Sequence, residues 1–118
     1  MTVRLAELTT LRVGGPAERD AEGSGEPWLV LGGGSNVLVG DEGVEGVVVR
    51  VATRGVERLS DAQGSARPVR LRVQAGEPWD ALVAHTVENG WSGIEALSGI
   101  PGSTGAAPIQ NIGAYGQE

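Results

Sequence analysis

The placement of glycine constrains this chain more than any other feature of its sequence. Of its 118 residues 20 are Gly, and they stand in discrete clusters between short apolar runs rather than in a repeat. Such clustering favours a globular fold rich in loops over disorder or a collagen-like helix. The length is sufficient for one domain with a core, although a fragment of a larger protein is also possible.

Charge and cysteine content exclude several classes of function. The formal net charge is -6, from 15 acidic and 9 basic residues, and there is no Cys. The basic residues are dispersed without aromatic interleaving, so we expect no nucleic-acid partner. The absence of Cys excludes disulfides and thiolate metal sites. Asp41, Glu42 and Glu45 cluster near a turn, but the flanking glycines and the lack of a ligand-loop spacing favour a solvated turn, so we predict no metal site. No apolar run reaches the length of a membrane span and no signal peptide is evident, so we expect a cytoplasmic protein without membrane contact.

Four segments have the composition of β-strands. Residues 28–31 form a continuous apolar run that stops at three glycines, which predicts a strand buried on both faces and ending in a tight turn. Residues 37–39 and 47–51 are rich in β-branched side chains and are also predicted as strands. Apolar and polar residues alternate over 69–74, which predicts a strand with one solvated face.

One amphipathic helix is predicted over residues 78–89, with Pro78 in its first turn and Asn89-Gly90 at its end. The residues at helical spacing on its apolar face are Trp79, Leu82, Val83, Thr86 and Val87. His85 falls on the opposite face and is predicted to be exposed and structural. We expect Trp28, Trp79 and Trp91 to be core or boundary residues rather than stacking platforms.

Two glycine-rich segments are candidates for ligand binding. Leu31-Gly32-Gly33-Gly34-Ser35-Asn36-Val37 follows the first predicted strand, so several backbone N–H groups could converge on an anion such as a pyrophosphate. A simple tight turn is an equally good interpretation, because short Gly motifs are weakly specific. The segment is neither a Walker loop nor a Rossmann fingerprint. Residues 98–116 combine five glycines with polar side chains, which is typical of a ligand-wrapping series of turns but also of a generic loop.

Longer segments carry a specific resemblance. The runs TTLRVGGPA and LVLGGGSNVLVGDEGVEGVVVR, and above all AGEPWDALVAHTVENGWSGIEALSGIPGSTGAAPIQNIGAYGQE, resemble the UDP-N-acetylenolpyruvoylglucosamine reductase (UDP-N-acetylmuramate dehydrogenase) family in order and spacing. The matches cover nearly the whole chain. The last stretch is too long and too particular to arise from turn composition alone.

The resemblance implies an α/β (α+β) class and an FAD-binding fold of the vanillyl-alcohol-oxidase or PCMH type. It implies two small subdomains, which we place at residues 1–53 and 54–118, with the substrate domain absent and the chain apparently truncated. Between residues 17 and 29 the family has a helix, whereas this chain has only about a dozen residues without helical periodicity, so we predict that the helix is missing. A sheet face left uncovered there would expose apolar side chains and invite self-association.

The resemblance also implies an activity and a set of cofactor-binding residues. In the family, NADPH reduces FAD, which reduces UDP-N-acetylglucosamine enolpyruvate to UDP-N-acetylmuramate for peptidoglycan synthesis. The pyrophosphate of FAD is expected at Gly32, Gly33, Gly34, Ser35 and Asn36. The remainder of the cofactor is expected along Ile100, Pro101, Gly102, Ser103, Thr104, Ala107, Ile112, Gly113 and Tyr115.

No catalytic residue can be assigned, because the family's proton-donating Ser and its Arg and Glu fall beyond residue 118. The UDP-sugar would then bind only with the missing domain. The alternative is a catalytically inactive fragment that binds FAD or another phosphate ligand. A different flavoenzyme of the same fold is disfavoured by the PIQNIGAYG run.

Overall fold

A computed structural model of the chain describes residues 3–4, 16–17, 27–59 and 68–118. In chain order the strands are β1 (Val3–Arg4), β2 (Pro16–Ala17), β3 (Trp28–Leu31), β4 (Val47–Arg50), β5 (Val56–Arg58) and β6 (Leu71–Val73). The helices are α1 (Trp79–Glu88), a 3₁₀ turn (Glu95–Leu97) and α2 (Ala107–Gln110). The chain divides into two compact units, Met1–Val51 and Ala52–Glu118. The predicted loss of a helix concerns residues 18–26, which lie outside the described ranges.

The described strands of the first unit form two small sheets. β1 and β2 pair antiparallel, while β3 and β4 pair parallel in the register Trp28↔Val47 to Leu31↔Arg50. The parallel pair continues for one further hydrogen bond, from the N–H of Val51 to the carbonyl of Leu31 at 2.8 Å. The predicted strands at 28–31 and 47–51 are therefore present, the second ending one residue early.

The predicted burial of β3 is wrong. Only Leu31 is buried, whereas Trp28 is 68% exposed and Leu29 and Val30 are also exposed. The apolar run indicated a strand covered on both faces, but within the described residues β3 has a single neighbouring strand and no helix of its own unit over it. Trp28 is accordingly not a core residue. Residues 37–39 form no strand either, because their β-branched composition finds no pairing partner among the described residues.

The second unit contains an antiparallel pair, β5 and β6, in the register Val56↔Val73 to Arg58↔Leu71. The predicted alternation is confirmed: Val69, Leu71 and Val73 are half-buried and the residues between them are exposed. The strand itself is shorter than the pattern, since Val69 precedes it. Sequence analysis did not predict β5, whose charged residues Glu57 and Arg58 mask its single inward-facing Val56.

Helix α1 provides the core of the second unit. It begins after Pro78 and ends at Asn89, followed by Gly90 with a φ of 70°, as the start and stop signals predicted. Val87 was placed on the wrong face, because it is 54% exposed. The buried cluster consists of Trp79, Leu82, Val83, Leu97 and Ala107.

Outside this cluster, the described side chains carry ordinary surface features. The predicted exposure of His85 is wrong: the residue is half-buried, because its ring packs edge-on to Trp91 at a centroid separation of 5.8 Å. Asp41, Glu42 and Glu45 are exposed, and within the described ranges no three His, Cys, Asp or Glu side chains are grouped to hold a metal ion. None of the described helices is both long and apolar enough to span a membrane.

Candidate functional site

The first candidate segment is the turn that follows β3. Leu31 is buried at the end of the strand, and the chain then bends through Gly32, Gly33 and Gly34. Gly34 is buried with a φ of 72°, a left-handed conformation that residues with a Cβ adopt only under strain. Parallel pairing with β4 therefore holds a backbone turn at the carboxyl end of a strand, where loops of α/β folds commonly bind ligands.

Ser35 carries the polar group in this turn that most needs a partner. Its hydroxyl oxygen is buried, yet none of the residues that the structure describes forms a hydrogen bond with it. A buried hydroxyl without a partner costs about 1–3 kcal/mol. A phosphate oxygen would accept this hydroxyl proton in a charge-assisted hydrogen bond, so the turn fits an anionic group such as a pyrophosphate. Asn36, next in the chain, is exposed.

The second candidate segment lies along the approach to α1. The N–H of Trp79 donates to the carbonyl of Gly102 at 3.0 Å, and the N–H of Thr104 donates to the carbonyl of Glu77 at 2.8 Å. The N–H of Gly105 donates to the carbonyl of Ala75 at 2.9 Å. As the residue number rises from 102 to 105, that of the bonded partner falls from 79 to 75. Residues 102–105 therefore lie antiparallel to 75–79, without forming a regular sheet.

Glycine makes this close approach possible. A Cβ on Gly105 would stand 2.6 Å from the Cβ of Ala75, and a Cβ on Gly76 would stand 2.6 Å from the backbone N and O of Thr53. Both distances are shorter than Cβ atoms show to non-bonded heavy atoms in proteins. Residues 52–53, 75–77 and 104–105 therefore pack as three adjacent backbone segments, which requires Gly at positions 76 and 105.

Side chains hold the ends of the same arrangement. The carboxylate of Glu77 accepts the N–H of Gly55 at 2.9 Å, and that of Asp80 accepts the N–H of Gly99 at 2.7 Å. The indole N–H of Trp79 donates to the carbonyl of Leu97 at 2.9 Å in the buried core. These long-range contacts were not predicted, since no local pattern in the sequence pairs acids at 77 and 80 with glycines 22 and 19 residues away.

The predicted residues of the second segment have different environments. Ser103 and Ala107 are buried, and Ile100 and Ile112 are half-buried against the core. The hydroxyl of Thr104 donates to the carbonyl of Glu77 at 3.0 Å, so it offers a ligand only its lone pairs. The exposed members are Pro101, Gly113 and Tyr115. Of the two predicted hydroxyl residues, Ser103 is therefore buried and Thr104 is already hydrogen-bonded.

A tight turn ends the segment. Ala114 and Gln117 exchange two backbone hydrogen bonds of 3.0 Å, which leaves Tyr115 at the tip with a φ of 51° and an exposed fraction of 96%. The side-chain oxygen of Gln117 accepts the N–H of Ala96 at 2.8 Å and so ties the turn to the 3₁₀ turn. The pKa of Glu95 lies below its ordinary value, because its carboxylate accepts its own backbone N–H and that of Gly93.

The two candidate segments lie in different units, Gly32–Gly34 with Ser35 and Asn36 in the first and residues 100–115 in the second. Sequence analysis missed the short helix α2, which lies inside the second segment, and the 3₁₀ turn, which directly precedes it. α2 ends at Asn111, whose left-handed φ of 52° substitutes for the Gly that usually marks such an end.

Comparison with known proteins decides the family. The family model described as FAD binding domain matches residues 17–118. The chain belongs to the FAD binding domain family. The expected FAD-binding fold and mixed class of strands and helices are thereby confirmed, and a solved structure agrees: the UDP-N-acetylenolpyruvylglucosamine reductase of Thermus caldophilus superposes with a TM-score of 0.69 at 34% identity, over 99% of this chain and 44% of that one.

Within this FAD-binding family the curated relatives confirm the resemblance stated from the sequence. The UDP-N-acetylenolpyruvoylglucosamine reductase of Leifsonia xyli is 63% identical over 97% of this chain, and that of Salinispora arenicola is 54% identical over 97%. The chain spans about a third of their lengths, 33% and 35%. The first alignment runs over 129 residues, more than the 118 of this chain, so the relative has internal residues that this chain lacks.

Proposed function

We propose that this chain forms the FAD site of an enzyme that reduces UDP-N-acetylglucosamine enolpyruvate to UDP-N-acetylmuramate with NADPH, in the cytoplasm. The observation that carries the proposal is the 63% identity to a protein named as that reductase. When bound, FAD would supply the hydride-transfer chemistry. The residues of this chain bind and orient the cofactor, and none of the described ones is proposed as catalytic.

The first unit would bind the pyrophosphate. The glycines of the turn, Gly32, Gly33 and Gly34, let backbone N–H groups approach the anion, and the hydroxyl of Ser35 donates to it. This assignment is supported by the buried hydroxyl of Ser35, which lacks a partner in the described part of the chain. Asn36 is exposed next to the turn and adds a further donor.

The second unit would bind the flavin half of FAD. Residues 100–107 are mostly small or apolar, which suits contact with the flat face of an isoalloxazine ring. The fit is supported by the hydrogen bonds that hold residues 102–105 in place without using exposed polar side chains. Tyr115, at the exposed tip of its turn, is free to contact the cofactor.

The experiment that tests the proposal is cofactor retention. The 118-residue chain is mixed with FAD, desalted, and assayed for visible flavin absorption and for flavin released on denaturation. We expect stoichiometric FAD. FMN and ADP, each carrying part of FAD, serve as matched probes: both should compete, and both should bind more weakly than FAD. A chain that retains no FAD, or that binds FMN and ADP as tightly as FAD, would contradict the proposed role of this chain in binding FAD.

A further inference from the structure

Asp80 holds the start of the second candidate segment through one atom. It is the second residue of α1, and its Oδ1 accepts both the N–H of Gly99 at 2.7 Å and the hydroxyl of Ser98 at 3.1 Å. The side chain is exposed and lies outside the buried cluster. Its contribution is therefore a pair of directed hydrogen bonds rather than packing.

No other described contact holds Gly99. A Cβ at this position would face open space, so no packing restrains it, and its φ of 80° places the chain in a left-handed bend. The backbone bonds to Glu77 and Trp79 begin only at Gly102. On either side of Gly99, the N–H of Ser98 donates to the carbonyl of Glu95 at 3.3 Å and Ile100 packs against the core, so the bond to the carboxylate of Asp80 is the described hydrogen bond that fixes Gly99 itself.

A second role for Asp80 must be separated from this one. An acidic residue in the first turn of a helix is stabilised by the helix dipole, which depends on its charge and not on its acceptor geometry. Both observed bonds end on a single oxygen. An Asn at this position keeps that oxygen and removes the charge, so Asp80→Asn separates hydrogen bonding from the dipole effect.

We propose that Asp80 is a positioning residue for FAD, which fixes the bend at Ser98-Gly99 and so presents Ile100, Pro101 and Gly102 to the cofactor. The inference rests on the proposed function and adds to it a residue that does not itself touch FAD. Cofactor affinity then depends on the acceptor oxygen at position 80 and not on its charge.

The test compares Asp80→Ala and Asp80→Asn with the unaltered chain in FAD titrations followed by flavin fluorescence. We expect Asp80→Ala to raise the dissociation constant roughly fivefold to tenfold, the size expected for loss of a typical intramolecular hydrogen bond. Asp80→Asn should stay within about twofold, because the amide oxygen accepts the same two donors. Glu88→Gln, which removes one negative charge at an exposed position at the other end of α1, is the control and should leave FAD affinity unchanged.

Hydrogen exchange supplies a readout that does not need FAD. The amide of Gly99 should exchange faster in Asp80→Ala than in Asp80→Asn or the unaltered chain. Equal losses of affinity in both Asp80 variants would assign the effect to charge and overturn the inference, as would unchanged protection of Gly99 in Asp80→Ala. If the unaltered chain binds no FAD, the proposed function fails as well; if it binds FAD and Asp80→Ala binds equally well, only the inference fails.

Discussion

At the scale of single residues, Ser35 joins stability to ligand binding. Its buried hydroxyl has no hydrogen-bond partner among the described residues, so it destabilises the folded chain when no ligand is bound. Strain or unsatisfied polar groups at such positions are a common cost of preorganised binding sites. The same hydroxyl would stabilise the complex once it donates a hydrogen bond to a phosphate oxygen.

We predict that Ser35→Ala changes stability and affinity in opposite directions. The free energy of unfolding without ligand should rise by about 1 kcal/mol, because the orphaned hydroxyl is removed. FAD should bind several-fold more weakly. Chemical denaturation and flavin titration measure the two effects, with Ser92→Ala at an exposed serine as the control. A variant that loses stability would show that the hydroxyl already has a partner in the folded chain.

Gly105 is the residue at which the second candidate segment packs directly against the backbone at Ala75. We predict that Gly105→Ala lowers the free energy of unfolding by about 2 kcal/mol, since a new Cβ would stand 2.6 Å from that of Ala75. Gly113→Ala is the matched control: its nearest atom would lie at 3.5 Å, an ordinary contact. Denaturant unfolding of both variants checks the difference. Equal stability would mean that the backbones can separate at no cost.

Sequence alone identified the candidate segments but not how they are held. Glycine density and the position after β3 indicated residues 32–36 without reference to any family. The roles of Asp80 and Glu77 could not be predicted, because each side chain bonds to a residue about 20 positions away, at Gly99 and Gly55. Only the folded chain brings such partners together.

At the scale of elements, α1 is the part that local signals specify best. Its predicted span of 78–89 differs from the observed Trp79–Glu88 by one residue at each end. Periodicity, a starting Pro and a terminal Gly all agree there. The strand at 28–31 was located correctly, yet its exposure was not, because burial depends on neighbours that no local pattern reveals. α2, four residues long, has too little sequence to produce any period.

The two sides of α1 should respond differently to truncation. We predict that Leu82→Ala lowers the free energy of unfolding by about 3 kcal/mol, since it leaves a cavity between the helix and the rest of the buried cluster. Val87→Ala should change it by less than about 0.5 kcal/mol, because Val87 is exposed. Thermal and denaturant unfolding distinguish them. Comparable losses of free energy of unfolding in the two variants would show that Val87 is buried on the apolar face of α1, as its spacing predicts.

At the scale of the whole molecule, ligand binding and stability are linked. A ligand that binds only the folded chain raises its free energy of unfolding by about 2.7 kcal/mol at a concentration one hundred times the dissociation constant. We predict that excess FAD raises the melting temperature of the 118-residue chain, and that ADP at the same concentration raises it less. A melting temperature that does not respond to FAD would argue against cofactor binding by the folded state.

The antiparallel course of residues 102–105 along 75–79 also bears on how the second unit folds. A ten-residue helix such as α1 is marginal on its own in water. Its buried face is covered by Leu97 and Ala107, which flank the loop that the helix in turn holds. Helix and loop therefore depend on each other and should open and close as one cooperative unit. Because α1 is synthesised before Leu97 and Ala107, its apolar face stays uncovered until roughly twenty further residues have been added.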